Sequence, residues 1–204
     1  MRALAALGGL LLAMPLVAMA GPMSYIDGYY IPDTTLEFEG DNASVESDDG
    51  DGFGVKLAGM LGEGLFIAGE YQSSDYEFQN ASATAETTRI GLGYHFGLPV
   101  YLLGEYVRNE LSGEFLGLGG SGDEDGYAAH LGVKFDIIDM LTLDARAGYL
   151  DVGDSDGFEY VVGLGLNLDR HFGLFADYRV SELENDDNLK GTIEDVRAGM
   201  RFRF

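Results

Sequence analysis

Apolar and polar residues alternate along the last nine residues of the chain, 196–204. Successive side chains of a strand point to opposite faces, so this segment predicts one apolar face and one face that carries three arginines. In a soluble sandwich the apolar face would need a second sheet to cover it. In a membrane barrel, lipid covers that face and pairing with the first strand removes the free edge. The segment is therefore interpreted as the closing strand of a transmembrane barrel.

The same alternation recurs along the rest of the chain. It predicts an all-β fold, a single closed antiparallel up-and-down transmembrane β-barrel of ten strands, with eight strands as the alternative. The segments are about nine to eleven residues long, which is the length that crosses a bilayer at a barrel tilt. They are expected at 23–32, 52–61, 65–73, 87–96, 100–108, 126–135, 141–150, 158–168, 173–180 and 194–204.

Two kinds of connection alternate between these segments. Short ones are predicted at 62–64, 97–99, 136–140 and 169–172, and long polar ones at 33–51, 74–86, 109–125, 151–157 and 181–193. Outer-membrane barrels have short periplasmic turns and long extracellular loops. The pattern therefore predicts that both chain ends lie on the periplasmic side.

Residue parity assigns the two faces of each strand. The outward residues are predicted to be Phe53, Val55, Leu57, Ile90, Leu92, Tyr94, Tyr127, Ala129, Leu131, Val133, Tyr160, Val162, Leu164 and Leu166. The inward charged residues are predicted to be Lys56, Glu70, Arg89, Glu105, Lys134, Asp144, Arg146, Glu159, Asp177, Arg179, Arg197, Arg201 and Arg203, together with His95 and His130. A basic side chain facing lipid at mid-bilayer costs about 2–4 kcal/mol, which favours this assignment. Arg108 breaks the pattern, but a long side chain at a strand end can reach the interface.

The inward charges suggest a filled lumen. Glu70, Glu105, Asp144 and Asp177 are expected to pair with Arg89, Arg146, Arg179, Arg197 and Lys56, because an unpaired buried charge is costly. Inward glycines leave room for these long side chains, at Gly54, Gly91, Gly93, Gly132, Gly163, Gly165 and Gly199. A structural charge network is favoured over an ion-selective pathway, since small barrels are usually filled by side chains.

Aromatic residues concentrate at the ends of the segments. Tyr71, Tyr106, Tyr149 and Tyr178 end four odd-numbered segments and predict an outer aromatic girdle. The opposite rim is expected to carry Tyr94, Phe96, Phe135, Phe202 and Phe204. Tyrosine suits this position because its ring is apolar and its hydroxyl is polar.

Composition narrows the classes of function. The chain has 204 residues, no Cys and a formal net charge of −23, which excludes disulfides and argues against nucleic acid as a partner. Residues 1–20 have a basic start, an apolar run and a small-x-small cleavage site, and predict a signal peptide for export. The expected domains are therefore the signal peptide, 1–20, and the barrel, 21–204.

The long connections hold most of the acids. Asp48, Asp49 and Asp51, with Asp154 and Asp156, resemble oxygen-rich cation sites but lack EF-hand spacing, so a solvated acidic face with loosely held divalent cations is favoured. The three histidines, His95, His130 and His171, adjoin no serine nucleophile or aspartate pair. No enzymatic activity and no cofactor are expected.

Several motifs resemble those of small proteobacterial outer-membrane barrels, the OmpA-like and porin-like β-barrel group. They are the Tyr-Ile-Asp-Gly-Tyr-Tyr run at 25–30, the Gly-Glu-Tyr strand ends, Gly-Leu-Gly-Tyr at 91–94 and the terminal Arg-Phe-Arg-Phe. The resemblance implies Sec export, periplasmic chaperones and recognition of the terminal Phe204 by the barrel-assembly machinery. Members mostly have eight strands, so ten would be a departure.

The leading hypothesis is an integral barrel of the Gram-negative outer membrane, a monomer surrounded by lipid, with a charge-filled lumen and acidic extracellular loops that act in surface interactions. Two alternatives remain: a narrow porin-like channel for small solutes or cations, and a secreted β-rich adhesin.

Overall fold

The computed structural model describes residues 21–40, 43–47, 49–78, 81–97, 99–115, 118–185 and 189–204. Within these residues it contains eleven strands and no helix. They are β1 (Tyr25–Gly40), β2 (Ala43–Glu46), β3 (Asp49–Met60), β4 (Leu65–Phe78), β5 (Ala81–His95), β6 (Val100–Phe115), β7 (Leu118–Ile138), β8 (Leu141–Val152), β9 (Ser155–Asn167), β10 (Phe172–Asn185) and β11 (Lys190–Arg203). The signal-peptide prediction for 1–20 lies outside the described residues.

The strands close into an antiparallel barrel. Each strand from β3 to β11 pairs with the next, and β1 completes the ring by pairing with both β3 and β11. At the point of closure Tyr25 lies opposite Arg203 on β11 and opposite Ala58 on β3. The short β2 pairs only with the outer end of β1 and stands outside the ring. Ten strands therefore form the barrel, as predicted, and the eight-stranded alternative is wrong.

The barrel strands are longer than the segments that the apolar pattern predicts. β6 and β7, for example, remain paired up to Phe115 and Leu118, through most of the predicted loop 109–125. The predicted loop 151–157 is reduced to a turn at 153–154, where Gly153 has a φ of +62°. The apolar pattern marks only the part of a strand that crosses lipid. Above the membrane the backbone ladder continues with polar side chains on both faces, so these regions are strand extensions rather than loops.

The four short connections at the other end agree with the prediction. They occupy 61–64, 96–99, 139–140 and 168–171. In the last of them Asp169 Oδ1 accepts hydrogen bonds from the backbone N–H groups of His171 and Phe172, each at 2.7 Å. These two donors stabilise the carboxylate, so they lower the pKa of Asp169.

The outward face of the barrel is apolar and exposed, as a surface that contacts lipid requires. Tyr127 and Leu131 on β7 are 71% and 56% exposed. Leu57 on β3 departs from the prediction, since it is only 6% exposed. It lies between Ile26 and Gly69 of the neighbouring strands, in a stretch where the alternation of exposure is lost and residues 57–60 are all buried. No helix in the described ranges is long and apolar enough to span a membrane.

The interior contains apolar clusters above and below the charged residues. Along β6 the inward series runs Tyr101, Leu103, Glu105 and Val107. Tyr101 and Leu103 belong to a cluster near the short turns that also holds Met23, Met60 and Phe66. Val107 belongs to a second cluster nearer the long hairpins, with Ala128, Leu150 and Val152. On β6, Glu105 therefore lies between two apolar clusters.

Candidate functional site: the charged lumen

The inward faces of the barrel strands bring a balanced set of charges together. Among the described residues, the interior holds seven cationic side chains, Lys56, Arg89, Lys134, Arg146, Arg179, Arg197 and Arg201, and seven acidic ones, Asp27, Glu70, Glu105, Asp144, Glu159, Asp177 and Asp195. Every one of them has an oppositely charged or histidine neighbour within 4.0 Å. The lumen thus contains many charged side chains, and their charges nearly cancel.

Glu159 on β9 is the centre of one group. Arg89 donates two hydrogen bonds to its carboxylate, at 2.8 and 2.6 Å, in the bidentate geometry that arginine favours. Ser181 donates a third at 3.0 Å, and Arg146 lies 3.5 Å away. The Nε2 atom of His130 is 3.1 Å from the same carboxylate. Glu159 itself is fully buried, so all the groups that stabilise its charge come from the protein.

Glu70 on β4 is the centre of a second group. Arg197 donates to its Oε1 atom at 3.0 Å, and the Tyr29 hydroxyl donates to the same atom at 2.7 Å. Arg179 lies 3.7 Å from it, and Arg146 approaches the other oxygen at 4.0 Å. Because Arg146 also approaches Glu159, it links the two groups.

The remaining acids extend the network toward both ends. Arg197 also donates to Asp177, which lies 2.8 Å from Lys56. Arg179 donates two bonds to Asp195 at 2.9 and 2.5 Å. Nearer the periplasmic end, Arg201 and Asp27 form a bidentate pair at 2.7 and 2.6 Å.

Lys134 and Asp144 are held more loosely. Their charged atoms are 4.0 Å apart. Lys134 instead lies over the Tyr25 ring at 4.5 Å, and Arg201 lies over the same ring at 4.2 Å. Asp144 accepts a hydrogen bond from the Tyr101 hydroxyl at 2.9 Å. Aromatic side chains therefore replace part of the ion pairing at this end of the lumen.

The pairing differs from the predicted one in four places. Arg179 pairs most closely with Asp195, and Asp144 lies nearest to Lys134. Arg89 pairs with Glu159, which parity placed inside without a partner. Glu105 faces His130 Nδ1 at 3.1 Å, rather than pairing first with an arginine. Sequence reasoning missed Asp27 and Asp195, although their parity was available: Asp27 alternates with Tyr25 and Tyr29, and Asp195 with Arg197. The parity of a residue predicts on which face of its strand the side chain lies. Its ionic partners come from strands across the barrel, so they are defined only by the closed ring.

Inward glycines make space for the large side chains, and this is testable at Gly148. A Cβ there would lie 2.1 Å from the His130 ring and 2.5 Å from the backbone oxygen of Ala129. We expect Gly148→Ala to destabilise the barrel by about 1–3 kcal/mol, measured by urea unfolding in lipid vesicles. Gly165→Ala is the matched control, because its Cβ would meet nothing closer than 3.7 Å. Equal stability of the two variants would contradict tight packing around His130.

A cavity of about 70 Å³ lies in the periplasmic half of the lumen. Its lining mixes apolar, aromatic and charged side chains, including Phe66, Tyr101, Asp144, Arg146, Lys56 and Arg201. A water needs roughly 10–15 Å³ of such volume, so the cavity has room for several waters. The lining extends as far as Glu70, Glu105 and Arg146 but includes none of Arg89, Glu159 and His130.

The extracellular rim carries a repeated pair that sequence reasoning did not find. In each of the five outer hairpins, a tyrosine on the ascending strand bonds to an acid on the next strand, two residues above its direct partner. The pairs are Tyr30–Asp51, Tyr71–Glu86, Tyr106–Asp125, Tyr149–Asp156 and Tyr178–Glu194. The predicted outer girdle is therefore also a ring of tyrosine–carboxylate hydrogen bonds.

This ring predicts a measurable contribution to stability. Replacing all five of its tyrosines by phenylalanine keeps the rings and removes one hydrogen bond per hairpin, each worth about 0.5–1.5 kcal/mol. We expect a lower unfolding temperature of the barrel, read from its heat-modifiable gel mobility. The control replaces Tyr127 and Tyr160, which are outward tyrosines outside the ring. A quintuple variant as stable as the control would show that these bonds contribute nothing.

The candidate cation ligands do not form one site. Asp51 and Asp156 accept hydrogen bonds from the rim tyrosines, and Asp154 is exposed in the turn between β8 and β9. Asp48 lies outside the described residues, as does the side chain of Asp49. Across the described ranges no group of three or more His, Asp or Glu side chains could hold a metal ion.

The chain end expected to serve as the assembly signal lies at the periplasmic end of the barrel. The backbone N–H of Phe204 donates to the carbonyl of Ser24 at 3.4 Å. Next to it, Arg203 donates to Asn167 Oδ1 at 2.6 Å and to the backbone oxygen of Asp169 at 2.8 Å. These hydrogen bonds connect the last residues to Ser24, just before β1, and to the end of β9 and the turn that follows it.

The closed ring, the apolar exterior and the two unequal ends define an integral barrel of the Gram-negative outer membrane. A family model described as "Outer membrane protein beta-barrel domain" matches residues 3–157, and the chain belongs to this family. A member of this family lies in the outer membrane, so lipid of that membrane surrounds the apolar face. The alternative of a secreted adhesin is therefore wrong.

The chain is also similar in sequence to porins. The chain is 28% identical over 206 residues to the outer membrane porin PhoE of Enterobacter cloacae, and 27% identical over 198 residues to PhoE of Escherichia coli K12. Each match covers 88% of this chain and 54% of the porin. The chain therefore spans about half the length of the curated relatives that it matches.

Solved structures show the same fold. The translocator domain of the autotransporter NalP from Neisseria meningitidis has a TM-score of 0.51 at 15% identity, covering 100% of this chain and 97% of that domain. The beta domain of the Bordetella autotransporter BrkA has a TM-score of 0.54 at 11% identity, covering 89% of this chain and 100% of that domain.

Proposed function

We propose that this protein is a closed outer-membrane barrel whose lumen is a structural plug and whose extracellular strands make its interactions. It acts without catalysis. The observation that carries the proposal is the continuous contact of Arg89, Glu159, His130 and Glu105 across the interior. Moving an ion through this layer would separate buried partners, and a buried charge that loses its partner is strongly destabilised.

The apolar layers support the same conclusion. A cluster of buried apolar side chains occupies the β6–β8 side of the lumen near the long hairpins: Val107, Ala128, Leu150 and Val152. A hydrophobic constriction hinders ions because it excludes water, so an ion would have to lose its hydration shell to pass. On the β6–β8 side of the lumen, an ion entering from outside would therefore meet apolar side chains first and the charged groups around Glu159 next.

Conductance of the purified barrel in planar lipid bilayers tests the proposal. The expected result is the absence of stepwise current in salt solution at neutral pH. A matched variant that replaces Glu159, Arg89 and His130 together by glycine removes the ionic layer and controls for insertion. Regular current steps from the wild-type barrel would overturn the plug.

A narrow channel for small solutes or cations is the second candidate. It is favoured by the similarity to the PhoE porins and by the cavity in the periplasmic half of the lumen. In that case the charged layer would be a constriction that opens. Liposome swelling with neutral sugars of increasing size would reveal such a pathway, which the plug excludes.

We also propose that assembly of the barrel uses the periplasmic chaperones and the barrel-assembly machinery, with Phe204 as part of the signal. The position of the chain end beside Ser24 and the predicted export segment support this route. Loosely held divalent cations at the acidic extracellular strands, and a monomeric barrel, remain parts of the same proposal.

A further inference from the structure

The outer part of β7 has one strand edge without a partner. On one side β7 pairs with β6 along its whole outer part, from Gly126 to Leu118. On the other side it pairs with β8 only from Gly126 downward. β8 ends at Val152 and the chain turns back at once into β9. Residues 118–125 therefore extend beyond the outer end of β8, and no described strand pairs with this edge.

The backbone groups at this edge can be assigned. The N–H of Gly153 donates to the carbonyl of Asp125 at 3.1 Å, so the backbone groups of Asp125 point toward the β8 side. Backbone hydrogen-bonding groups alternate between the two sides of an antiparallel strand. The N–H and C=O groups of Asp123, Ser121 and Gly119 therefore point toward the free edge, and those of the intervening residues point to β6.

Part of the usual protection of an exposed edge is missing from this stretch. Natural edge strands are blocked by charged side chains, especially lysine, by proline or by a covering segment. Residues 118–125 contain neither proline nor lysine, and a Cβ at Gly120 or Gly122 would meet nothing within 4 Å. The stretch instead ends in three acids, Asp123, Glu124 and Asp125. Two copies of such an edge would repel each other, which disfavours pairing between two copies of this chain.

A groove on the face of β5, β6 and β7 reaches this edge strand, and its lining is mostly acidic, like the end of the stretch. It has a volume of about 150 Å³, and its charged lining consists of Glu86, Glu110, Asp123 and Arg108. Arg108 lies 3.0 Å from Glu110 and 3.1 Å from Asp123, so it neutralises only part of the acidic lining. Ser112, Ser121 and Gly122 also line the groove. This lining suits a side chain with a positive end.

We propose that the free edge of β7 binds an extended, basic segment of another protein by strand addition. In this mode main-chain hydrogen bonds give affinity, and pockets for alternate side chains give specificity. Here Gly119, Ser121 and Asp123 supply the main-chain groups, and the acidic groove receives a lysine or arginine. This binding mode gives a partner to the surface role stated under the proposed function, and it rests on that role. Peptide binding and conductance are measured separately, so failure of one does not mimic failure of the other.

The test uses the complete barrel in nanodiscs of zwitterionic lipid and three fluorescent peptides, read by anisotropy. One peptide alternates lysine with valine, the second alternates glutamate with valine, and the third alternates lysine with proline. The third has the charge of the first but cannot form a ladder, because proline lacks the N–H donor. We expect saturable binding of the lysine–valine peptide and no binding of the other two.

Matched variants test the edge itself. Ser121→Pro removes one N–H from the free edge, and we expect it to weaken binding by about tenfold. Ser121→Ala keeps the N–H and should bind like wild type. Both must keep the heat-modifiable mobility of the folded barrel, and proline is tolerated on edge strands. Equal affinity for the lysine–proline peptide, or unchanged binding by Ser121→Pro, would overturn the proposal. A wild-type dimer that Ser121→Pro abolishes would overturn it in favour of self-pairing.

Discussion

Replacing Glu159 by alanine is expected to destabilise the folded barrel by about 3–5 kcal/mol. The substitution leaves the bidentate guanidinium of Arg89 without its partner and removes an acceptor from Ser181 and a neighbour from His130. Glu159 is fully buried, so water cannot take the place of the carboxylate. Urea unfolding in lipid vesicles, followed by tyrosine fluorescence and gel mobility, measures the loss.

Glu182→Ala is the control for this variant, because Glu182 is an exposed glutamate on the neighbouring strand β10. Its removal should change the free energy of unfolding by less than about 0.5 kcal/mol. A double variant that also replaces Arg89 by methionine should recover part of the loss, since it removes the charge that was left unpaired. An unfolding free energy of Glu159→Ala equal to that of the control would contradict the buried network.

The second large effect concerns the lipid face. Leu131 lies about halfway along the membrane-crossing part of β7, between Tyr127 at the outer rim and Phe135 at the inner rim. Leu131→Arg is expected to destabilise the barrel by about 2–4 kcal/mol, because it places a charge in the hydrocarbon layer. The measurement is reversible unfolding in vesicles at equal lipid composition.

Depth provides the control for this prediction. Ile138 is also exposed and outward on β7, but it lies at the periplasmic end of the strand. Ile138→Arg should therefore cost only about 0–1 kcal/mol. In a soluble protein the two arginines would face water and cost about the same. Similar values for the two variants would thus contradict lipid at the exterior.

Much of the fold follows from period-two alternation. Parity alone places Leu131 outside and Glu105 inside, because the register of a strand cannot slip without moving all its charges into lipid. The same reasoning fails above the membrane, where neither face has to be apolar. For this reason the alternation predicts a loop where β6 and β7 extend, and it does not indicate the ring of tyrosine–acid pairs.

Alternation does not predict which acid pairs with which base within the lumen. Arg89 on β5 meets Glu159 on β9, seventy residues further along the chain. Which acid faces which base depends on the tilt and on the number of strands in the ring, and neither is encoded near Arg89. Sequence parity could have added Asp27 and Asp195 to the interior, yet only the closed barrel shows that Asp27 meets Arg201.

Cysteine accessibility can distinguish a packed lumen and a lipid-covered exterior from surfaces in water, because the chain contains no Cys of its own. Single cysteines at Ser121, Ala128 and Leu131 report on the extracellular edge, the packed lumen and the lipid face. Proteoliposomes are treated with a charged, water-soluble thiol reagent. We expect rapid modification at 121 and protection at both 128 and 131. Rapid modification at 128 would show an open lumen, and rapid modification at 131 would show an exterior in water.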